Sequence, residues 1–216
     1  MSVLSSQEIR ERILKRNLIV SPIISFDKQI KNGSLDLRLG PKLITTKFTN
    51  VPAVNLNNGS IPEEERYKYY EVHYMKDSSK DSSSTFVLHP GGFVLGSSLE
   101  YLSFPNDLMA YVIGRSSLGR LGLIVATAVL VQPGFSGYLT LEITNLGNLP
   151  IVLFPGLQIA QLVFHTLNYE DALPYKGKYF HGIKNFEYPR FWCIYFMVLS
   201  NLLYKFILLP FPIKPL

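Results

Sequence analysis

The sequence predicts an all-β sandwich or barrel opened by one short helix, and three observations carry that expectation. Turn signals recur along the chain: Asn32-Gly33, Asn58-Gly59, Pro90-Gly91, Pro133-Gly134 and Pro155-Gly156 punctuate runs rich in Val, Ile, Leu, Phe and Tyr. Between Tyr138 and Asn145 apolar and polar residues alternate, as a strand with one buried face requires. Helical spacing is confined to the start of the chain.

That helix is announced by Ser5-Ser-Gln-Glu8, a capping-box pattern in which serine and glutamate each satisfy the other's free backbone amide. Ile9, Ile13 and Leu14 follow at helical spacing and form its expected apolar face. Strand and turn signals then dominate. Residues 55–84 are more polar and read as a variable insertion. From Phe191 to Tyr204 no residue is charged; Lys205 interrupts, and a second apolar run ends at Ile213. A membrane helix needs roughly 20 mostly apolar residues, and this segment holds two prolines and a lysine. Packing against a partner subunit, an aberrant terminus and a membrane anchor all account for it.

Composition narrows the function. The chain has 216 residues, 47% hydrophobic and 17% charged, enough to bury a core within one domain. The net charge of +5 is spread without a long basic run, so no nucleic-acid footprint is expected. One cysteine, Cys193, excludes an internal disulfide and suits a reducing, cytoplasmic setting; no signal peptide is visible. Zinc-dependent base deaminases carry H-x-E followed by P-C-x-x-C, and no such pattern is present. The four histidines are scattered; His89 reads as a turn residue and His165 as a strand-end surface residue.

Two segments offer chemistry. Gly114-Arg-Ser-Ser-Leu-Gly-Arg-Leu-Gly122 gathers two arginines, two hydroxyls and three glycines, suited to close approach and donation to phosphate oxygens. A polar turn of a β fold accounts for it equally. Within 138–145, Leu139, Leu141 and Ile143 share one face, and Tyr138, Thr140, Glu142 and Thr144 the other. Glu142 thus sits on a rigid strand among hydroxyls. In a partly closed pocket such a carboxylate shuttles protons; in open solvent it is a surface acid. Tyr175-Lys-Gly-Lys-Tyr179 supplies either phosphate donors or a solvated basic loop.

These segments resemble dCTP deaminases of the dCTP deaminase/dUTPase superfamily. The resemblance lies in Arg115-Ser-Ser-Leu-Gly-Arg-Leu-Gly-Leu123, Ala126-Thr-Ala128, Pro133-Gly-Phe-Ser-Gly137, Leu139-Thr-Leu-Glu-Ile143 and Pro155-Gly-Leu-Gln-Ile-Ala-Gln161. Gly33-Ser-Leu-Asp-Leu-Arg-Leu-Gly40, His89-Pro-Gly91 and the segment Leu99 to Asp107 fit in order upstream. The likeness covers residues 1–180 as one domain and leaves 181–216 as an atypical apolar tail. It implies a distorted jelly-roll in a homotrimer with shared active sites. It also implies hydrolysis of dCTP to dUTP and ammonia, with no catalytic metal and with Mg2+ accompanying the triphosphate.

Carried over by residue, the resemblance makes Glu142 the general base and acid, with Ser116, Arg120 and the Ala128 carbonyl positioning water and stabilising charge. Arg115, Ser116 and Ser117, with Leu118 and Gly119, would cradle phosphates. Thr140 and Leu141 would line the nucleoside pocket, and Gln161, Tyr175 and Lys178 would reach the triphosphate. Gln132 stands where the family usually has an Asp that holds the sugar hydroxyl and, in dUTPases, is tied to activating water. An amide cannot take up that proton, so pyrophosphate hydrolysis is less expected than deamination. Val129 and Leu130 replace a His-Arg pair of some bacterial relatives. After Lys178-Tyr179 the family's Gln- and Gly-rich closing segment gives way to Phe180-His-Gly-Ile183 and the apolar tail. A dUTPase or bifunctional enzyme, and a non-catalytic nucleotide-binding homologue held to membranes by that tail, remain the alternatives.

Overall fold

The structure is a computed structural model, and it describes residues 2–47, 69–75, 85–127 and 129–167. The apolar tail, Tyr175, Lys178 and Ala128 lie outside the described residues, as do Asn58-Gly59 and Cys193.

The predicted helix forms as α1 (Ser6–Leu14), with both halves of the capping box made: the Glu8 amide donates to Ser5 Oγ at 3.3 Å and the Ser5 amide to Glu8 Oε2 at 2.7 Å. Ile9 is fully buried and Ile13 packs against the core, but Leu14 is exposed, because the helix ends there at the surface.

Among the described residues twelve strands follow, in keeping with the all-β expectation: β1 (Ile19–Ser21), β2 (Ile30–Lys31), β3 (Ser34–Thr46), β4 (Tyr70–Tyr74), β5 (Phe86–Leu88), β6 (Phe93–Ser103), β7 (Leu108–Gly114), β8 (Leu123–Val125), β9 (Leu130–Val131), β10 (Ser136–Asn145), β11 (Ile151–Leu153) and β12 (Gln158–Thr166). Two short helices interrupt them, α2 (Phe26–Gln29) and α3 (Ser116–Gly119). The main sheet runs β8-β10-β6-β3-β12-β7-β9, with β1, β2 and β4 attached beside it; β5 and β11 make a separate pair. The fold is mainly β, a ten-stranded sheet with a two-stranded pair beside it.

β3 is the hinge of this architecture. Its first half, Ser34 to Arg38, pairs with β12, and its second half, Leu39 to Thr45, pairs with β6. The register shifts between Leu39 and Leu43, where Gly40 and Pro41 sit. A proline has no amide for the ladder, so it is tolerated at such an irregularity. β4 lies inside 55–84, so part of the expected insertion is a regular strand on the flank of β3. Polar Glu71 and His73 among Tyr70, Val72 and Tyr74 disguise it, since its outer residues face solvent.

Local signals set the turns. Asn32 and Gly33 both have positive φ (49° and 78°), which joins β2 to β3 as a tight hairpin. Pro90, Pro133 and Pro155 each open a turn, as expected. One continuous core runs from Leu4 and Ile9 through Leu35, Leu37, Leu39, Leu102, Leu141 and Ile143 to Phe164.

Candidate active site

β10 delivers the alternation expected of it. Leu139, Leu141 and Ile143 are buried, while Tyr138, Thr140, Glu142 and Thr144 are half-buried on the opposite face. Two backbone contacts clamp Glu142 to the segment after β8: the Ala126 amide donates to the Glu142 carbonyl at 2.7 Å, and the Glu142 amide donates to Thr127 Oγ1 at 2.9 Å. The Glu142 carboxylate makes no hydrogen bond or ion pair with any described residue. It is therefore held by its backbone and free at its tip.

The segment expected as a phosphate-binding loop leaves β7 as the single helical turn α3 and returns as β8. Ser116, Ser117 and Arg120 are exposed, and none of these side chains is paired with a described residue. Arg115 is held instead: its Nη1 donates to Gln158 Oε1 at 2.6 Å and to Asp36 Oδ2 at 3.3 Å.

A cleft of about 480 Å³ opens beside this turn. Ile24, Ser25, Lys28, Gln29 and Arg38 form one wall, Arg115, Ser117 and Leu118 the second, and Phe154, Gly156, Leu157 and Gln158 the third. Lys28, Arg38 and Arg115 line it; the two arginines are ion-paired with Glu100 and Asp36, so the cleft offers guanidinium donors and one cation without an acidic partner among the described residues, which suits an anionic ligand. The first wall is fixed by a buried network. Arg38 Nε donates to Glu100 Oε1 at 2.6 Å and the Arg38 amide to Glu100 Oε2 at 2.9 Å. Gln29 Nε2 reaches Glu100 Oε1 at 3.2 Å, and Arg38 Nη2 donates to the Pro22 carbonyl at 2.9 Å. Burial pushes the Glu100 carboxyl above its ordinary value, against the pull of the Arg38 guanidinium and the bonds it donates. The third wall is stitched to β3 through Leu39, whose amide and carbonyl bond to Leu157 and Gly156. Gly156 has φ 86°, which its place in the Pro155 turn demands.

Some of the residues expected to act together line this cleft. Arg115, Ser117 and Leu118 face the cleft; Ser116, Arg120 and Glu142 are not among its lining residues. Gln161 reaches the same region indirectly, its Nε2 donating to Asp36 Oδ1 at 2.8 Å. Leu141 needs correcting: its side chain is fully buried in the core, because it lies on the opposite face of β10 from Glu142, so only its backbone can line a pocket. Thr140 keeps its half-buried outward position, Gln132 is exposed ahead of the Pro133 turn, and Gly119 has open space beside it. Asp36, Arg38, Glu100 and Gln158 were missed. For Asp36 and Arg38 the signal was Leu35-Asp-Leu-Arg-Leu39, where charges alternate with leucines in a strand buried on both faces.

Among the described residues no group of three His, Cys, Asp or Glu side chains converges to hold a metal ion. No described helix is long and apolar enough to cross a membrane.

Comparison with known proteins agrees with this fold. The chain resembles a dCTP deaminase of Haloarcula marismortui, 40% identical over 184 residues, covering 83% of this chain and 90% of the relative. A "dCTP deaminase, dUMP-forming" of Coprothermobacter proteolyticus is 41% identical over 180 residues, covering 82% and 90%. The crystal structure of 2'-deoxycytidine 5'-triphosphate deaminase from Agrobacterium tumefaciens superposes with a TM-score of 0.59 at 24% identity, over 76% of this chain and 48% of that one. Residues 3–167 match the dCTP deaminase-like family, and the chain belongs to that family.

Proposed function

We propose that this protein hydrolyses dCTP to dUTP and ammonia, with Glu142 as general base and acid. Water adds to C4 of the cytosine ring as Glu142 takes one of its protons. The C4=N3 double bond opens on addition; the carboxyl then returns that proton to the amine, the C4–N bond to it breaks, and the remaining water proton passes from O4 to N3 to give uracil. The observation that carries this reading is the half-buried Glu142 itself, fixed on β10 by Ala126 and Thr127 while its carboxylate stays uncommitted. General-base catalysis by a positioned carboxylate contributes about 10²–10⁴-fold. The Ala128 carbonyl is proposed to accept from the water and orient it, while Ser116 and Arg120 donate to the developing charge, each such donor contributing about 3–4 kcal/mol.

The triphosphate is proposed to lie along Arg115, Ser116 and Ser117, with Gln161, Tyr175 and Lys178 completing its contacts; magnesium enters with it as part of the substrate. The nucleoside would meet Gln132, Thr140 and the backbone of Leu141. A homotrimer with shared sites is part of this reading, with Glu142 of one copy meeting the 115–120 turn of another. Exposed Tyr111, Ile113, Val129 and Leu130, with Tyr111 directly opposite Leu130, offer an apolar surface for such a contact.

A second reading is favoured by relatives named as dUMP-forming: the same site would release pyrophosphate and end at dUMP. Gln132 weighs against it, since an amide cannot serve as that step's base. Incubating the purified protein with dCTP and magnesium, then separating nucleotides, tests both. The first reading predicts dUTP and the second dUMP with pyrophosphate; neither product would overturn both.

A further inference from the structure

Asp36 lies in the middle of a motif whose sequence suggests only a buried strand, yet its carboxylate is the meeting point of two residues assigned to the triphosphate. Its side chain is 6% exposed, and both oxygens accept: Oδ2 from Arg115 Nη1 at 3.3 Å and Oδ1 from Gln161 Nε2 at 2.8 Å. Gln161 stands directly opposite Asp36 in the β3–β12 ladder, and β7 on the other side of β12 ends just before Arg115. Three strands therefore bring the acid, the amide and the guanidinium together.

We propose that Asp36, assisted by Gln158, is a positioning residue that aims Arg115 at the triphosphate. The two hydrogens of Arg115 Nη1 are accounted for by Asp36 and by Gln158 Oε1 at 2.6 Å. The edge of the guanidinium formed by Nε and Nη2 is left without a bond to any described residue. That edge is the one able to donate two parallel bonds to a phosphate. Arg115 and Gln158 both line the cleft, so the anchored guanidinium faces its space. A loose arginine would have to be ordered each time a nucleotide arrives; one already tethered at Nη1 loses less freedom on binding. Asp36 also cancels the arginine's charge only at a distance from the free edge, leaving the cleft surface donor-rich.

This inference rests on the reading of Arg115 as a triphosphate contact, and the experiment separates the two. Full-length wild-type, Asp36→Asn, Arg115→Ala and the double variant are compared by steady-state kinetics with dCTP and magnesium. Asparagine keeps the shape but cannot accept from both donors. Asp36→Asn is expected to raise KM for dCTP about 10-fold while kcat stays within about threefold, the pattern of lost binding rather than lost chemistry. Adding it to Arg115→Ala should change KM by no more than about twofold, because a residue acting through Arg115 has nothing left to aim. An unchanged KM in Asp36→Asn, a fall in kcat alone, or effects that multiply in the double variant would overturn the inference. If Asp36→Asn does not fold, as judged by circular dichroism, Gln158→Leu removes the other tether. It should raise KM in the same way, and an unaltered KM there would be equally contrary. A wild-type protein without turnover defeats the proposed reaction but not this inference; dCTP affinity by calorimetry then replaces KM, with the same outcomes for and against.

Discussion

Thr127 Oγ1 accepts the Glu142 amide at 2.9 Å, so the strand that carries the proposed base and the segment leading to Ala128 are joined by a side chain. The Ala126 amide bonds back to the Glu142 carbonyl at 2.7 Å, making the link two-sided. The backbone of Glu142 and the Ala126-Thr127 segment thus form one unit. Its precision depends on the buried Thr127 hydroxyl.

Thr127→Val should therefore lower kcat for dCTP about 10-fold or more and cost about 1–3 kcal/mol of stability, since it leaves a backbone donor without its acceptor. Thr127→Ser retains the hydroxyl and should recover most of both losses. Kinetics alongside urea denaturation checks this; wild-type kcat in the valine variant would remove Thr127 from the account.

The buried pair behind the cleft gives a pH signature. Because burial raises the Glu100 carboxyl, it binds its proton more readily in the folded than in the unfolded chain. Its contribution is complete below the ordinary carboxylate range and is lost as pH rises through the raised value. Glu100→Gln should remove that fall, flattening the dependence of Tm on pH. Arg38→Met strips the carboxylate of its cation and should steepen the fall, costing about 3–5 kcal/mol at neutral pH. Parallel pH profiles for the wild type and both variants would contradict this ordering.

Gln132 separates the two reaction outcomes. It is exposed, so Gln132→Asp should alter stability by less than about 0.5 kcal/mol. It restores a carboxylate where the family usually has one and should raise pyrophosphate release at least about 10-fold over the wild type. A coupled pyrophosphate assay reads this directly; no increase would mean that position 132 does not decide the product.

Features set by neighbours in sequence were legible before any coordinates. Ser5 and Glu8 are three residues apart, the Pro-Gly turns are dipeptides, and the two faces of β10 follow from alternation alone. Features set by distant pairing were not. Asp36 and Arg115 are 79 residues apart, and Arg38 and Glu100 are 62 apart, so only the folded sheet reveals their bonds. β4 was hidden for a different reason: a flanking strand with solvated residues carries little apolar signal. That Arg115 and Ser117 line the cleft while Glu142 does not was equally invisible, because a motif string records order and not facing.

The most direct test of the central claim is the product of dCTP turnover by the wild type and by Glu142→Gln. The account predicts that the wild type releases ammonia and forms dUTP, and that Glu142→Gln loses about 10²–10⁴-fold in kcat with KM changed by no more than a few-fold. Full turnover in the glutamine variant would contradict Glu142 as the base.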